Sequence, residues 1–461
     1  MHPLWALNPK VQKTFLSLFS EMPNYRKGFR ATKQYIFLKM TSSEQQKQRV
    51  FTPYQVFMIA VLAFIQFTVV LDFMVLSPLG AILMPKLGIT TTQFGAVVSG
   101  YAFSAGISGL LAAGFADKYD RKKLLMFFYI GFLFGTMLCA MATTYQFLLA
   151  ARIITGIFGG VIGSVSFAII SDIFKMEVRG RVMGFVQMAF AGSQILGLPI
   201  GLWLATHYNW HAPFWMIVII GILAGILILF KMKPITEHLK IQRDNNAVQH
   251  LIQTVSNSFY LKAFLATILL STGGFMLMPF GSAFSTNNLG LKLEQLPILY
   301  GITGLFMIVS GPIFGKLSDQ MGKSKLFTLG SLLAMLIIAI YTHLGISPLW
   351  LVTVISVFMY LAVTSRMISS GALLTAVPSA KDRGAFMSIN SSIQQISGGV
   401  ATFIAGKIVV QRADGFLERY DILGFTVIGT MTVAIGLIYW LDKLIKAKNA
   451  GFTEGGIILE H

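Results

Sequence analysis

One cysteine, Cys139, occurs in 461 residues, so the chain forms no intrachain disulfide and offers no cysteine cluster to zinc. Charge is scarce: Asp, Glu, Lys and Arg make up 12% of the chain, against about 25% in a soluble domain. The charge is also one-sided, with 36 Lys and Arg against 18 Asp and Glu. The seven histidines are scattered. Only His207 and His211 lie four apart, in a loop ahead of Pro213, so no metal site is expected. No G-x-x-x-x-G-K-[ST] loop occurs, which argues against ATP as the energy source. Without a nucleophile–base pair or ligand cluster either, the chain does not read as an enzyme, and no cofactor is expected. No cleavable signal is expected: residues 1–39 are mixed polar and basic, with no apolar core ahead of a small-residue site.

What is present is apolar sequence, 55% of the chain. It comes in runs of about twenty residues, long enough as helices to cross a hydrocarbon core of ~30 Å. Closed barrels would show segments of about ten residues with alternating polarity, which this chain lacks. The reading is an all-α polytopic membrane protein with twelve transmembrane helices. The first six run roughly over 54–84, 92–116, 122–142, 145–171, 180–206 and 213–232. The second six run over 261–285, 295–317, 323–345, 349–377, 384–409 and 421–444. Residues 1–53 are then a basic N-terminal arm, 54–232 and 261–444 two six-helix bundles, 233–260 a linker and 445–461 a tail. Met40 begins "MTSSEQQKQRVFTPYQ", so residues 1–39 read either as a basic arm or as an overlong gene model.

With both termini cytoplasmic, 29 Lys and Arg fall on the cytoplasmic side. Five (Lys86, Lys292, Lys407, Arg412, Arg419) fall outside. This asymmetry fixes the orientation. It also assigns the excess positive charge to topology and anionic lipid rather than to nucleic acid. Two charged knots share one address, the cytoplasmic turn between the second and third helix of each half: "AGFADKYDRKKLL" (Ala113–Leu125) and "GKLSDQMGKSKLF" (Gly315–Phe327). Such an echo marks an internal repeat of two similar bundles.

These residues resemble the major facilitator superfamily, whose loop motif is roughly G-x-L-A-D-R-x-G-R-K. Asp117, Lys118, Arg121 and Lys122 fit it, while Ala113 and Asp120 replace glycines. The second copy keeps Gly315, Asp319, Gly322 and Lys323 but has Gln320 and Ser324 at basic positions. "LLAARIITGIFGG" is similar to the family's helix-4 motif, with Arg152 ahead of a glycine face. "MEVRGRVMGF" resembles the charged loop that follows. "GSQILGLPIG" resembles the antiporter motif of helix 5, with Leu198 between Gly197 and Pro199. The texture is most similar to the twelve-helix drug–proton antiporter and arabinose-efflux-like group. The resemblance implies two pseudo-symmetric bundles, alternating access and a cytoplasmic gate at the knots. The gate would comprise Asp117, Lys118, Arg121, Lys122, Asp172, Glu177, Arg179, Gly315, Asp319, Gly322 and Lys323. Arg121 is expected to pair with an acid at the end of helix 4, Asp172 or Glu177. The plain alternative is a short turn whose lysines serve topology alone. If the latch exists, the first knot is the stronger of two.

Three ionisable residues fall deep within spans, where they are costly and functional by default: Asp72, Arg152 and Arg366. Counting at 1.5 Å per residue puts Arg152 about 10 Å from the outer end of helix 4. Asp72 is then also in the outer half, so the two can meet. Three readings stand: a proton-coupled pair, a static pair, or no pair. Arg366 lies in the inner half without an acid of its bundle at that depth. It either binds an anionic group of a substrate, caps carbonyls of a broken helix 7, or snorkels to headgroups. Gln66, Gln187, Gln194, Asn390, Gln394 and Gln395 are the expected polar cavity residues. Bends are expected at Gly197, Pro199 and Gly201, at Gly273, Gly274 and Pro279, and at Gly311 and Pro312, with close packing through Gly156, Gly160, Gly159 and Gly163.

The expectation is a secondary active transporter in a bacterial inner membrane. It exports a small organic or amphipathic molecule, draws on the proton gradient, and works as a monomer among lipids. An importer of a sugar or organic acid is the alternative, and a receptor or sensor a remote one, because no room is left for a soluble output domain.

Overall fold

The computed structural model describes residues 51–112, 115–240, 247–379 and 382–455. Residues 1–56 form one unit, of which 51–56 are described, and residues 57–461 form a second. The expected arm of residues 1–53 lies almost wholly outside the described residues.

Helices α1 (Pro53–Val75) and α2 (Gly80–Leu87) replace the single span expected over 54–84. They are parted by the turn at Leu76–Leu79, where Leu79 and Gly80 donate backbone bonds to Leu76 and Ser77. Next come α3 (Thr91–Ala112), α4 (Arg121–Met141) and α5 (Tyr145–Ile173). Thr144 caps α5 by accepting from Phe147 N at 3.3 Å, and Asp120 caps α4 by accepting from Lys122 N at 2.8 Å. The fifth span begins earlier than expected. It is α6 (Met176–Gly192), a π-turn at Ser193–Gly197 and α7 (Leu198–His207), with α8 (Ala212–Lys231) after it. The π-turn sits immediately ahead of Pro199. Proline there lacks an amide donor, and the ladder slips by one residue to accommodate it.

The linker carries a turn of 3-10 helix at Glu237–Lys240 and α9 (Ala247–Ser256). Asn257 caps α10 (Ser258–Leu277) through Phe259 N at 2.9 Å. A 3-10 turn at Met278–Phe280 breaks the span at Pro279, and α11 (Gly281–Asn287) completes it. Gly273 and Gly274 lie within unbroken α10. Then follow α12 (Leu296–Met321), α13 (Lys323–Thr342), α14 (Leu349–Leu374) and α15 (Arg383–Ile408). At Gly311 and Pro312, where a bend is expected, α12 continues as one helix from Leu296 to Met321. The last helix, α16, follows a hairpin of β1 (Val410–Gln411) and β2 (Leu417–Glu418) paired antiparallel. It covers Tyr420–Gly455, so most of the expected tail is helix. The i,i+4 pair of Lys446 Nζ with Asp442 Oδ2 at 2.8 Å supports that extension.

Among the described residues, eleven helical segments are long and apolar enough to cross a membrane. The twelfth expected span, α15, has the length with 26 residues but carries Asn390, Ser391, Ser392, Gln394 and Gln395. It packs between α3 and α10, where protein rather than lipid covers part of this polarity: Asn390, Ser392 and Thr402 are buried.

The close α3–α5 packing follows from composition. A methyl group at Gly156 would collide with Ser104 and Tyr101, and one at Gly160 with Ala105. Gly159 faces the Tyr101 hydroxyl, while Gly163 has no such neighbour. The helices of the second half surround a core of Tyr260, Phe264, Phe327, Leu373, Phe386, Ile438 and their neighbours.

Candidate functional site

Asp72 is the fourth residue from the end of α1, and Arg152 lies two turns into α5. They form an ion pair, Arg152 Nη1 to Asp72 Oδ2, at 2.7 Å, with both side chains at 0% exposure. The other carboxylate oxygen accepts from Thr136 Oγ1 of α4 at 3.1 Å. Arg152 Nη1 also donates to the Asp72 carbonyl at 3.3 Å, and its guanidinium lies 4.5 Å from the centre of the Tyr101 ring on α3. Four helices of the first half thus enclose one pair. Arg152 Nε and Nη2 have no partner, so the acid is better satisfied than the base. A proton on Asp72 would take from Arg152 the one carboxylate it meets among the described residues.

The pair is wired to the other half through its neighbour in sequence. The Phe73 ring packs on Tyr101 at 5.3 Å and on Phe275 of α10 at 5.8 Å. On the other flank of α1, the π-turn grips the same stretch. Ser193 Oγ donates to Phe67 O at 2.9 Å, and a Cβ on Gly197 would lie 2.5 Å from Leu71 Cδ1. The far side of that turn faces α12, where Gly304 abuts Ile195 and Gln194.

The first charged knot is tied within the first half. Arg121 Nε donates to Asp172 Oδ2 at 3.0 Å and Nη1 to Ala116 O at 3.0 Å. Asp172, one of the two acids expected, is thus a partner of Arg121. Lys122 Nζ closes a C-terminal carbonyl of α8, Leu229 O, at 2.9 Å, and Arg179 Nε does the same for α5 through Phe174 O at 2.9 Å. Lys118 is exposed. The side chains of Asp117 and Glu177 lie outside the described residues. The second knot is barer. Asp319 is exposed, Gly315 meets no neighbour, and Ser324, in place of a basic residue, donates to Asp442 Oδ2 at 2.8 Å. Gly322 turns the chain at φ 91°, a left-handed conformation that suits glycine, where the first copy has the capping Asp120 at φ −54°.

Two residues of this network escaped the sequence reading. Asp120 stands where the resembled motif has glycine, yet an Asp directly before a helical run is itself a cap signal. It also accepts from Ile235 N at 3.1 Å, drawing the linker onto the knot. His238 follows on that linker. Its Nε2 donates to Tyr119 O at 3.1 Å, and its Nδ1 stands 3.5 Å from Asp172 Oδ2. Nothing in the linker's composition announces that contact.

The expected cavity residues scatter. Gln194 is buried, with Nε2 3.7 Å from Met74 Sδ. Asn390 is buried and accepts from Thr267 Oγ1 at 2.6 Å. Gln187 and Gln394 are exposed, and Gln66 and Gln395 half-buried. Arg366 is buried over Phe327 on α13, its guanidinium 5.4 Å from the ring centre. It neither snorkels into solvent nor meets a carbonyl.

The model for the Major Facilitator Superfamily matches residues 62–402. An uncharacterized MFS-type transporter of Bacillus subtilis (strain 168), YceJ, is 25% identical over 346 residues, 74% of this chain and 86% of that protein. Multidrug resistance protein 3 of the same organism is 34% identical over 148 residues, 32% of this chain and 29% of that protein. Among solved structures, a bacterial homologue of the human lysosomal transporter Spinster, inward-facing and occupied, superposes with a TM-score of 0.67 at 14% identity, over 85% of this chain and 98% of that one.

Proposed function

The chain belongs to the major facilitator superfamily of transporters, and from that membership we propose that it is a proton-coupled exporter of a small organic or amphipathic molecule, with Asp72 as the proton-binding group. The observation that carries the proposal is the 2.7 Å Asp72–Arg152 pair, wholly buried and one residue from an aromatic contact between the halves. Protonation of Asp72 frees Arg152, loosens α1 from α5, and is felt by Phe73 and Phe275. A two-state rocker biased in this way links proton entry to the side on which the cavity opens. The multidrug names of two partial relatives support export as the direction.

Between the halves, three hydrogen bonds lie at the end away from the basic loops. Thr91 Oγ1 donates to Val409 O at 2.6 Å, Thr92 Oγ1 to Gly406 O at 2.9 Å and Ser282 Oγ to Ser77 O at 3.3 Å. By the positive-inside rule this is the outer face. The two bundles, at 54–232 and 261–444, then rock about these seams, with the knots as latches of the alternate state. Both termini are cytoplasmic, the membrane is a bacterial inner membrane, and a single chain is the working unit.

Inverted vesicles carrying the protein test this reading. With the lumen acidified, they should accumulate exported compounds and lose that accumulation when the gradient is collapsed. Accumulation indifferent to the gradient would exclude proton coupling.

A further inference from the structure

Within the membrane, away from the helix ends, the described residues hold two arginines and one aspartate. Asp72 answers Arg152, and Arg366 is the unanswered charge. It lies in α14 at 5% exposure, with neither Nε nor Nη2 bonded. No described carboxylate forms an ion pair with it. Nor is it free to swing away. Gly330 on α13 lets α14 approach so closely that a Cβ there would stand 3.3 Å from Arg366 Cγ.

Polar residues on other helices of this half share its depth. Counting from the basic end, Thr267 of α10, Ser331 of α13, Arg366 of α14 and Asn390 of α15 all stand seven to nine residues in, about 10–14 Å at 1.5 Å per residue. Ser331 Oγ is buried and unbonded like the guanidinium. Towards the basic end, this layer rests on an aromatic floor. Phe264 stacks on Phe386 at 4.9 Å, Tyr260 meets Phe386 edge to face at 5.3 Å, and Arg366 lies over Phe327. A buried arginine with two unspent donors is a fork for a planar or tetrahedral anion.

We propose that Arg366 binds the anionic head of the transported molecule, a carboxylate or sulfonate on an apolar body. The inference rests on the transport reading and adds the substrate class to it. While Asp72 is ionised, an anion at Arg366 brings the charge of these three groups and their ligand to zero. The layer lies nearer the basic end, where a molecule bound for export enters.

Equilibrium binding to the purified full-length protein tests this without any gradient, so it stands or falls apart from the coupling mechanism. The probes share one apolar body and differ in charge: naphthalene-2-sulfonate and 2-naphthyltrimethylammonium, with sodium chloride as the inorganic control. The sulfonate should bind and raise the unfolding temperature. Arg366→Gln should weaken it about tenfold or more, as expected for a lost charge-assisted contact, and leave the cation unchanged. Should Arg366→Gln fail to fold, Arg366→Lys should still lower the sulfonate-to-cation affinity ratio, because an ammonium lacks the fork. Preference for the cation, equal sulfonate affinity in the variants, or equal protection by chloride would each overturn the assignment.

Discussion

Asp72 is held by two donors from two helices, and the variants at this site separate its structural and chemical roles. Thr136→Val removes one donor and should leave transport running while shifting its pH profile. An unchanged profile would show that Thr136 does not tune the acid. Arg152→Met strands a buried carboxylate and should cost about 3–5 kcal/mol of stability, read as a lowered unfolding temperature. In Arg152→Met/Asp72→Leu both charges are gone, and much of that loss should return. This pair was legible in sequence because so few charges stand inside spans that depth alone brought two together. Its third and fourth members, Thr136 and Tyr101, were not, since nothing distinguishes a threonine or tyrosine facing a carboxylate from one facing a neighbouring helix.

At the level of elements, the knots show how one motif diverges into two structures. Asp120, Arg121 and Lys122 each find an acceptor or donor on a different element. In the second copy, among the described residues, Gly322, Lys323 and Ser324 make one side-chain bond to another element, Ser324 to Asp442. A double-mutant cycle on Arg121→Gln and Asp172→Asn should give a coupling energy of about 1–3 kcal/mol, measured by unfolding in detergent. Near-zero coupling would reduce the knot to a topology signal. His238→Ala should release the linker, raising proteolysis between Lys233 and Lys240 without altering the Arg121–Asp172 coupling. Spans and their order were readable from apolar runs. The π-turn at Ser193–Gly197, the continuity of α12 through Pro312 and the extension of α16 were not. A one-residue slip or an absorbed proline depends on whether neighbouring helices can satisfy the freed carbonyls.

For the whole molecule, the seam between halves at α3 and α15 is built backbone to backbone. A Cβ on Gly406 would stand 2.8 Å from Thr91 O, and one on Gly95 3.1 Å from Thr402 O. Gly406→Val should therefore pry this end open and favour the outward-facing state. A cysteine placed at Phe94 should then label more readily from outside, and unchanged labelling would place the gate elsewhere. The central claim is that this rocking is driven through the proton on Asp72. The most direct measurement compares two modes of transport in Asp72→Asn: substrate exchange at equal pH, and accumulation driven by a pH gradient. The account predicts that exchange persists while gradient-driven accumulation is lost. Accumulation that still follows the gradient in Asp72→Asn would contradict it.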